Sequence, residues 1–324
     1  TASQPPPTPP ADAGGMTTHT EDVRRLESEF AAAARVLVDA PSVAVVTHIK
    51  PDADAVGSAC ALMAGLRQLG ITANAYIGQR APHPGNLATV PFVDEITYTC
   101  EPPTEDLIVT VDCASADRTG AFCAAVEADP ARVLVGDHHA SNPLFGARNL
   151  VVAAESTTAI VRELFYHMNV ALDADIAYCL YAGLVTDTGN FRWGTPRMHH
   201  LAAELMDFGL NTRKIAMDLM DALTPADMRH VGAVLASLEA YEVRGHTVSV
   251  FTIDAAAIDL MSQTAVECII DYARSVQGSD VGVVLKQQGV QYWNVSLRSV
   301  TIDVARVAGL LGGGGHRPAA GYSA

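Results

Sequence analysis

Three runs rich in Val, Ile and Leu each lead into residues that bind hard or borderline cations. Val43–Thr47 (VAVVT) leads into His48, with Asp52 and Asp54 close behind; Leu107–Val111 (LIVTV) leads into Asp112; Arg132–Val135 (RVLV) leads to Asp137, His138 and His139. A fourth acid, Asp187, lies in Thr186-Asp187-Thr188-Gly189, where glycine lets the chain turn sharply beside a site. Six of these residues, His48, Asp52, Asp54, Asp112, His138 and Asp187, suffice for two cations if one carboxylate is shared. Asp112 is the expected bridge, because its strand would lie between the other two contributors. Carboxylates mixed with imidazole suit Mn²⁺ better than Mg²⁺, and the thiolates of structural zinc are missing. Two ions about 3.5–4 Å apart can hold a phosphate between them and lower the pKa of a shared water. That is hydrolase chemistry.

Each residue taken singly has a plainer reading. Asp52 or Asp54 would serve as an N-cap for a helix beginning near Ala55, and a lone His48 is more often a packed histidine than a ligand. Their coincidence argues otherwise, because burying this many carboxylates together is costly unless cations compensate them.

The elements that must position these residues are legible in the hydrophobic pattern. The three apolar runs read as buried strands, and helical stretches such as Ala55–Leu69 and Thr157–Met168 lie between and after them. This alternation predicts an α/β domain, a parallel sheet with helices on both faces, in which ligands bind at the carboxyl ends of the strands. Ahead of it, residues 1–19 are rich in proline and small residues and read as a disordered tail. Val23, Leu26, Phe30, Ala34 and Leu37 predict an amphipathic helix over Glu21–Val38. Helical patterns dominate from Asp175 to about Glu239, with Thr224-Pro225 as a helix start. The pattern then changes to a strand (Val248–Ile253), a helix (Thr264–Ser275) and two strands (Val281–Lys286 and Gln291–Arg298) joined by a hairpin over Gln287–Gly289. The expected organisation is a tail (1–19), a catalytic domain (20–210), a helical linker (211–240) and a smaller α+β domain (241–324).

Composition narrows the function. A formal charge of −15 excludes proteins that coat duplex DNA or anionic membranes, but not one that holds a small phosphate through bound cations. The six cysteines are scattered without a CxxC pair, so neither disulfides nor a zinc knuckle are expected. No membrane-spanning run and no basic-then-apolar leader is evident, which predicts a cytoplasmic protein.

In the smaller domain, the strand period of two places Trp293, Val295 and Leu297 on an inward face and Asn294, Ser296 and Arg298 on a polar one. Arg298 is suited to gripping phosphate, and the glycine run Gly312–Gly315 with His316 would let backbone N–H groups approach one. His199 and His200 read as helix-start or solvent-facing residues. Phe191 and Trp193, just after the Asp187 motif, are candidates either for stacking a base or for core packing.

His48-x-x-x-Asp52-x-Asp54, Asp112, Asp137-His138-His139 and Thr186-Asp187-Thr188-Gly189 resemble the four ordered motifs of the DHH phosphoesterases. Arg298-Ser299 and Gly312–His316 resemble their DHHA1 domain. The plan is similar to that of the stand-alone oligoribonuclease/pAp phosphatases (nanoRNases) and the soluble cyclic-di-AMP phosphodiesterases of high-GC bacteria. The resemblance implies that His48, Asp52, Asp54, Asp112, His138 and Asp187 bind two Mn²⁺, with Mg²⁺ or Co²⁺ as substitutes and Asp112 shared. It implies that Asp137 supports the site from behind, that His139 faces the substrate phosphate or leaving oxygen, and that Arg298, Ser299, Gly313, Gly314, Gly315 and His316 contact substrate. A homodimer and some continuation beyond Ala324 are further implications. The expected activity is hydrolysis of phosphate esters in pAp, short single-stranded RNA, pApA or cyclic di-AMP. Pyrophosphate or polyphosphate hydrolysis and a catalytically dead nucleotide sensor are the alternatives.

Overall fold

The computed structural model describes residues 15–324, so the first fourteen residues of the expected tail lie outside the described residues. Helix α1 (Gly15–Asp39) starts before the expected Glu21, and residues 15–19, assigned from sequence to the tail, are its first turns. The chain continues through β1 (Ser42–Thr47), α2 (Ala53–Gln68), β2 (Thr72–Ile77), β3 (Thr97–Tyr98), β4 (Leu107–Val111), α3 (Cys123–Ala128), β5 (Val133–Asp137), β6 (Arg148–Val151), α4 (Thr157–Met168) and α5 (Ala174–Asp187). The six strands form one parallel sheet in the order β3-β2-β1-β4-β5-β6.

Strand order reverses between β1 and β4, and an open α/β sheet binds ligands outside the carboxyl ends of its strands at such a point. Every residue from Val43 to Thr47 and from Leu107 to Val111 is buried, as strands covered on both faces must be. One face packs Val43 and Val45 against α1, α2, α4 and α5 through Leu37, Leu62, Phe165 and Leu180. The other packs Ala44, Val46 and Ile108 under Phe122 and Val126.

Helices α6 (Pro196–Met206), α7 (Thr212–Met220) and α8 (Pro225–Ala236) connect the domains. Ile215 and Leu219 of α7 join the first core, while Val231 and Val234 of α8 join the second. The expected linker is therefore two helices belonging to different cores. Thr224 caps α8 in a capping box with Asp227, and Pro225 occupies the first turn.

The second domain holds β7 (Glu239–Val243), β8 (His246–Ile253), α9 (Ala255–Leu260), α10 (Gln263–Ala273), β9 (Val281–Gly289), β10 (Tyr292–Arg298), α11 (Val304–Leu310), β11 (Gly314–His316) and β12 (Ala319–Ser323). They form a mixed sheet in the order β11-β12-β10-β9-β8-β7, in which only the β8–β9 pair is parallel. The β9–β10 hairpin is where the reading from sequence placed it, but its turn is not. Gln287–Gly289 continue β9, and the chain reverses at Val290 and Gln291, because Tyr292 pairs with Gly289. Among the described residues no helix is long and apolar enough to cross a membrane, and all six cysteines are free.

Candidate active site

The carboxyl end of β1 delivers His48, and the turn that follows delivers Asp52. The Asp52 side chain caps α2 by accepting from Ala55 N at 3.0 Å, so capping and a place in the cluster are not alternatives. Asp54, in the first turn of α2, is fully buried. The carboxyl end of β4 delivers Asp112 with a left-handed φ of 59°, a conformation that aspartate tolerates better than most residues but that still carries strain. The end of β5 delivers Asp137, His138 and His139, and the last turn of α5 delivers Asp187.

The two oxygens of Asp112 point at different histidines. Oδ2 lies 3.5 Å from His48 Nε2, which is also 3.6 Å from Asp52 Oδ2. Oδ1 lies 3.5 Å from His138 Nε2, which is 3.8 Å from Asp54 Oδ2 and 3.2 Å from Asp187 Oδ2. His48–Asp52–Asp112 and Asp54–His138–Asp187 are thus two adjoining groups of donor atoms, each close enough to surround one ion.

Both groups fit a divalent cation. His138 Nε2 is fully buried without a hydrogen-bond partner although three carboxylates face it, while its Nδ1 donates to Ala154 O at 3.3 Å. His48 Nδ1 is engaged from behind, 2.9 Å from Ile49 O and 3.0 Å from the Arg118 guanidinium, which likewise leaves Nε2 facing the acids. An imidazole fixed through one nitrogen, with the other turned to carboxylates, is the donor geometry of a metal ligand.

The acids and imidazoles of the cluster shift one another's proton affinities. Burial, followed by the charges of Asp112 and Asp187, pushes the Asp54 carboxyl well above the usual range. Burial also raises Asp187. Burial alone would raise Asp112 too, but His138 and His48 hold it well below the usual range. Burial disfavours a charged His48, yet its contacts with Asp112 and Asp52 raise it to about 10.

Apart from Asp137, the residues behind the cluster were not legible in the sequence. The N-terminus of α4 grips Asp54, with Thr157 N donating to Oδ2 at 2.6 Å and Thr158 N to Oδ1 at 2.9 Å. The Thr157 hydroxyl donates to Asp112 Oδ1 at 2.9 Å. Gly183 of α5 leaves room for this arrangement, since a Cβ there would stand 2.3 Å from Asp54 Oδ1. Asp137 is fully buried, accepts from Asn142 Nδ2 at 2.7 Å and receives His139 Nδ1–H at 2.8 Å. The only local signal was the Ser156-Thr157-Thr158 helix start, which reads as ordinary capping.

The second domain reaches this centre. His316 stacks on His139 with ring centroids 4.6 Å apart and lies 4.7 Å from His138. Burial and these two neighbours lower its pKa to about 3. Arg298 is near enough for the charge of Asp187 to act on it. Two expectations change. The Ser299 hydroxyl donates to Asp280 O at 2.6 Å and accepts from Ile302 N at 2.8 Å, so it fastens the turn after β10 instead of facing the centre. The glycine run is not an open loop either: Gly312 N and Gly313 N cap α11 on Gly309 O and Ala308 O, and Gly314–His316 form β11. Gly314 faces Ser141, whose Oγ would be 3.1 Å from an added Cβ, so close backbone approach serves contact between the domains.

Phe191 packs edge-on against Tyr181 and beside His199, as a core residue does, while His199 and His200 are exposed.

The chain resembles known proteins in sequence and in fold. A family model described as the DHH family, N-terminal domain, matches residues 42–184. The chain is 33% identical over 286 residues to the bifunctional oligoribonuclease and PAP phosphatase NrnA of Thermus thermophilus, covering 86% of this chain and 82% of that protein. It is 25% identical over 297 residues to the probable bifunctional oligoribonuclease and PAP phosphatase NrnA of Streptococcus mutans, covering 86% and 88%. An exopolyphosphatase-related protein from Bacteroides fragilis shares the fold, with a TM-score of 0.77, 21% identity and coverage of 92% of this chain and 91% of that one.

Proposed function

Because the chain belongs to the DHH family, and is therefore a metal-dependent phosphoesterase, we propose that it hydrolyses phosphate esters in small nucleotides using two divalent cations, Mn²⁺ foremost. The substrates are nucleoside bisphosphates such as pAp, short oligoribonucleotides, pApA and cyclic di-AMP. The observation that carries this reading is the division of the Asp112 carboxylate between His48 and His138. The names of the two similar NrnA proteins support the substrate class.

In this reading His48, Asp52 and Asp112 hold one cation and Asp54, His138 and Asp187 the other. Bound there, the pair would neutralise the phosphoryl oxygens and lower the pKa of water so that a nucleophile is available near neutral pH. The chain's own residues do the rest. Arg298 adds positive charge where negative charge develops on the phosphoryl group. His139, oriented through Nδ1 by Asp137 at 2.8 Å, keeps Nε2 free to hand a proton to the departing oxygen. His316 stacks on that ring and shields it from water. We extend the proposal to a homodimer formed through the first domain, which a monomeric mass in sedimentation would overturn.

The test is product analysis by chromatography after incubation with Mn²⁺ and, separately, pAp, pApA, a short oligoribonucleotide, cyclic di-AMP and pyrophosphate. AMP from the adenine substrates with pyrophosphate intact is the expected result, together with a loss of at least about a thousandfold in Asp112→Asn. Cleavage of pyrophosphate alone would overturn the substrate class, and full turnover by Asp112→Asn would overturn the shared-carboxylate assignment.

A further inference from the structure

Lysine occurs three times in the chain, at Lys50, Lys214 and Lys286. Lys214 pairs with Asp218 on the surface of α7. The other two lie in different domains, and the charge of Lys50 acts on Lys286. Lys286 lies directly opposite Asn294 in the β9–β10 ladder and therefore shares a sheet face with Asn294, Ser296 and Arg298. Lys50 lies in the loop between β1 and α2, where its backbone takes a left-handed φ of 53° and its N–H donates to Gln79 Oε1 at 2.7 Å.

The charges of Arg298 and Lys50 both act on Lys286, and the charge of Asp187 acts on Arg298. Along the ladder Lys286 lies opposite Asn294, four residues from Arg298 on the same face of β10. Glu267 of α10 acts on both Lys286 and Arg298, and Asp271 on Arg298. Among the described residues, however, no carboxylate forms an ion pair with either side chain, and the Arg298 guanidinium donates to its own Leu297 O at 3.0 Å. Burial lowers the pKa of both. Cations gathered and partly desolvated without a paired anion are costly, and an anionic ligand removes that cost. Asn294 points the same way: its Oδ1 accepts from Ser323 Oγ at 2.9 Å, which leaves the amide NH₂ as the donor end.

We propose that Lys286, with Asn294 beside it and Lys50 from the other domain, forms a second phosphate subsite that selects nucleotides carrying a second phosphate group remote from the one being cleaved. This rests on the nucleotide-hydrolase reading above. Nucleoside bisphosphates and 5′-phosphorylated dinucleotides fill both positions, whereas a diester with one phosphate fills only the position at Arg298 and the acidic cluster.

The test compares kcat/KM for adenosine 3′,5′-bisphosphate and for bis(p-nitrophenyl) phosphate in the Mn²⁺-loaded wild type, Lys286→Ala, Lys286→Arg and Asn294→Ala. The ratio of the two is expected to fall about tenfold or more in Lys286→Ala through KM for the bisphosphate, less in Asn294→Ala, and to recover in Lys286→Arg. A lysine that only pairs with Glu267 would leave the ratio unmoved, and wild-type turnover of the bisphosphate with an unchanged ratio in Lys286→Ala overturns the subsite alone. A wild type that turns over neither compound overturns the functional reading and the subsite with it.

Discussion

The guanidinium of Arg274, at the end of α10, lies 4.1 Å above the ring centroid of Trp193, in the segment after α5. The ring is held from the other domain as well. Its Nε1 donates to Asp187 O at 2.6 Å, and Gly189 at φ 55° lies against it so closely that a Cβ would stand 2.0 Å from the ring. Trp193, open from the sequence to base stacking or packing, is thus a contact between the domains, although 37% of its surface stays exposed.

Arg274→Ala should loosen this contact. A cation–π contact contributes about 0.5–2 kcal/mol, so KM for pAp should rise about two- to thirtyfold while kcat changes less, and small-angle scattering should show a larger radius of gyration. An unchanged KM and radius would mean that the contact does not bias closure.

Thr157→Val keeps the backbone donation to Asp54 and removes the hydroxyl that Asp112 Oδ1 accepts. Residues that orient ligands in this way typically matter about 10- to 100-fold, and a loss of that size in Mn²⁺ affinity, restored by Thr157→Ser, is expected by calorimetry. Wild-type affinity in the valine variant would show that the hydroxyl does not orient Asp112.

Metal affinity should rise with pH. In the bare protein His48 is raised to about 10 by its acidic neighbours, working against burial. Its protonated form therefore stabilises the metal-free fold fully below the ordinary value of 6.5, and this contribution is lost as pH rises through about 10. The same proton must leave before Nε2 can bind a cation. Apparent Mn²⁺ affinity measured at three or four pH values from about 6.5 upward should increase by about tenfold per unit for each proton displaced; a flat profile would contradict the assignment of His48.

Asp227 joins α8 to α10. It accepts from Ser262 N at 2.8 Å and, through its other oxygen, from Thr224 N at 3.0 Å and Thr224 Oγ1 at 2.8 Å. The bond from Ser262 is the main reason its pKa is lowered from 3.8, so the carboxylate stabilises the fold above 3.8 and the contribution is lost as pH falls through the lowered value. Asp227→Ala should cost about 1–2 kcal/mol in urea unfolding at neutral pH. The gap between wild type and Asp227→Asn should narrow below pH 3.8. A gap independent of pH would show that shape, not charge, is what the site requires.

Much of the fold was open to reading because its signals are local. A run such as Leu107–Val111 is apolar throughout because both faces of its strand are covered, and its end fixes where Asp112 must emerge. Strands β2, β3, β6, β7, β11 and β12 escaped because their residues are few, mixed in polarity or rich in glycine, and only pairing with a neighbour makes them strands.

By itself the sequence determined the types of the cluster residues, their order and their placement at strand ends, together with the alternation that builds a parallel sheet. Only the tertiary structure decided which oxygen of Asp112 faces which histidine, that Thr157 holds that carboxylate from 45 residues away, that Ser299 turns into its own loop and that Arg274 covers Trp193. Hydrophobic periodicity reports how one segment meets the core. The partner of a side chain depends instead on helix packing and strand register between segments far apart in sequence, which no local pattern encodes.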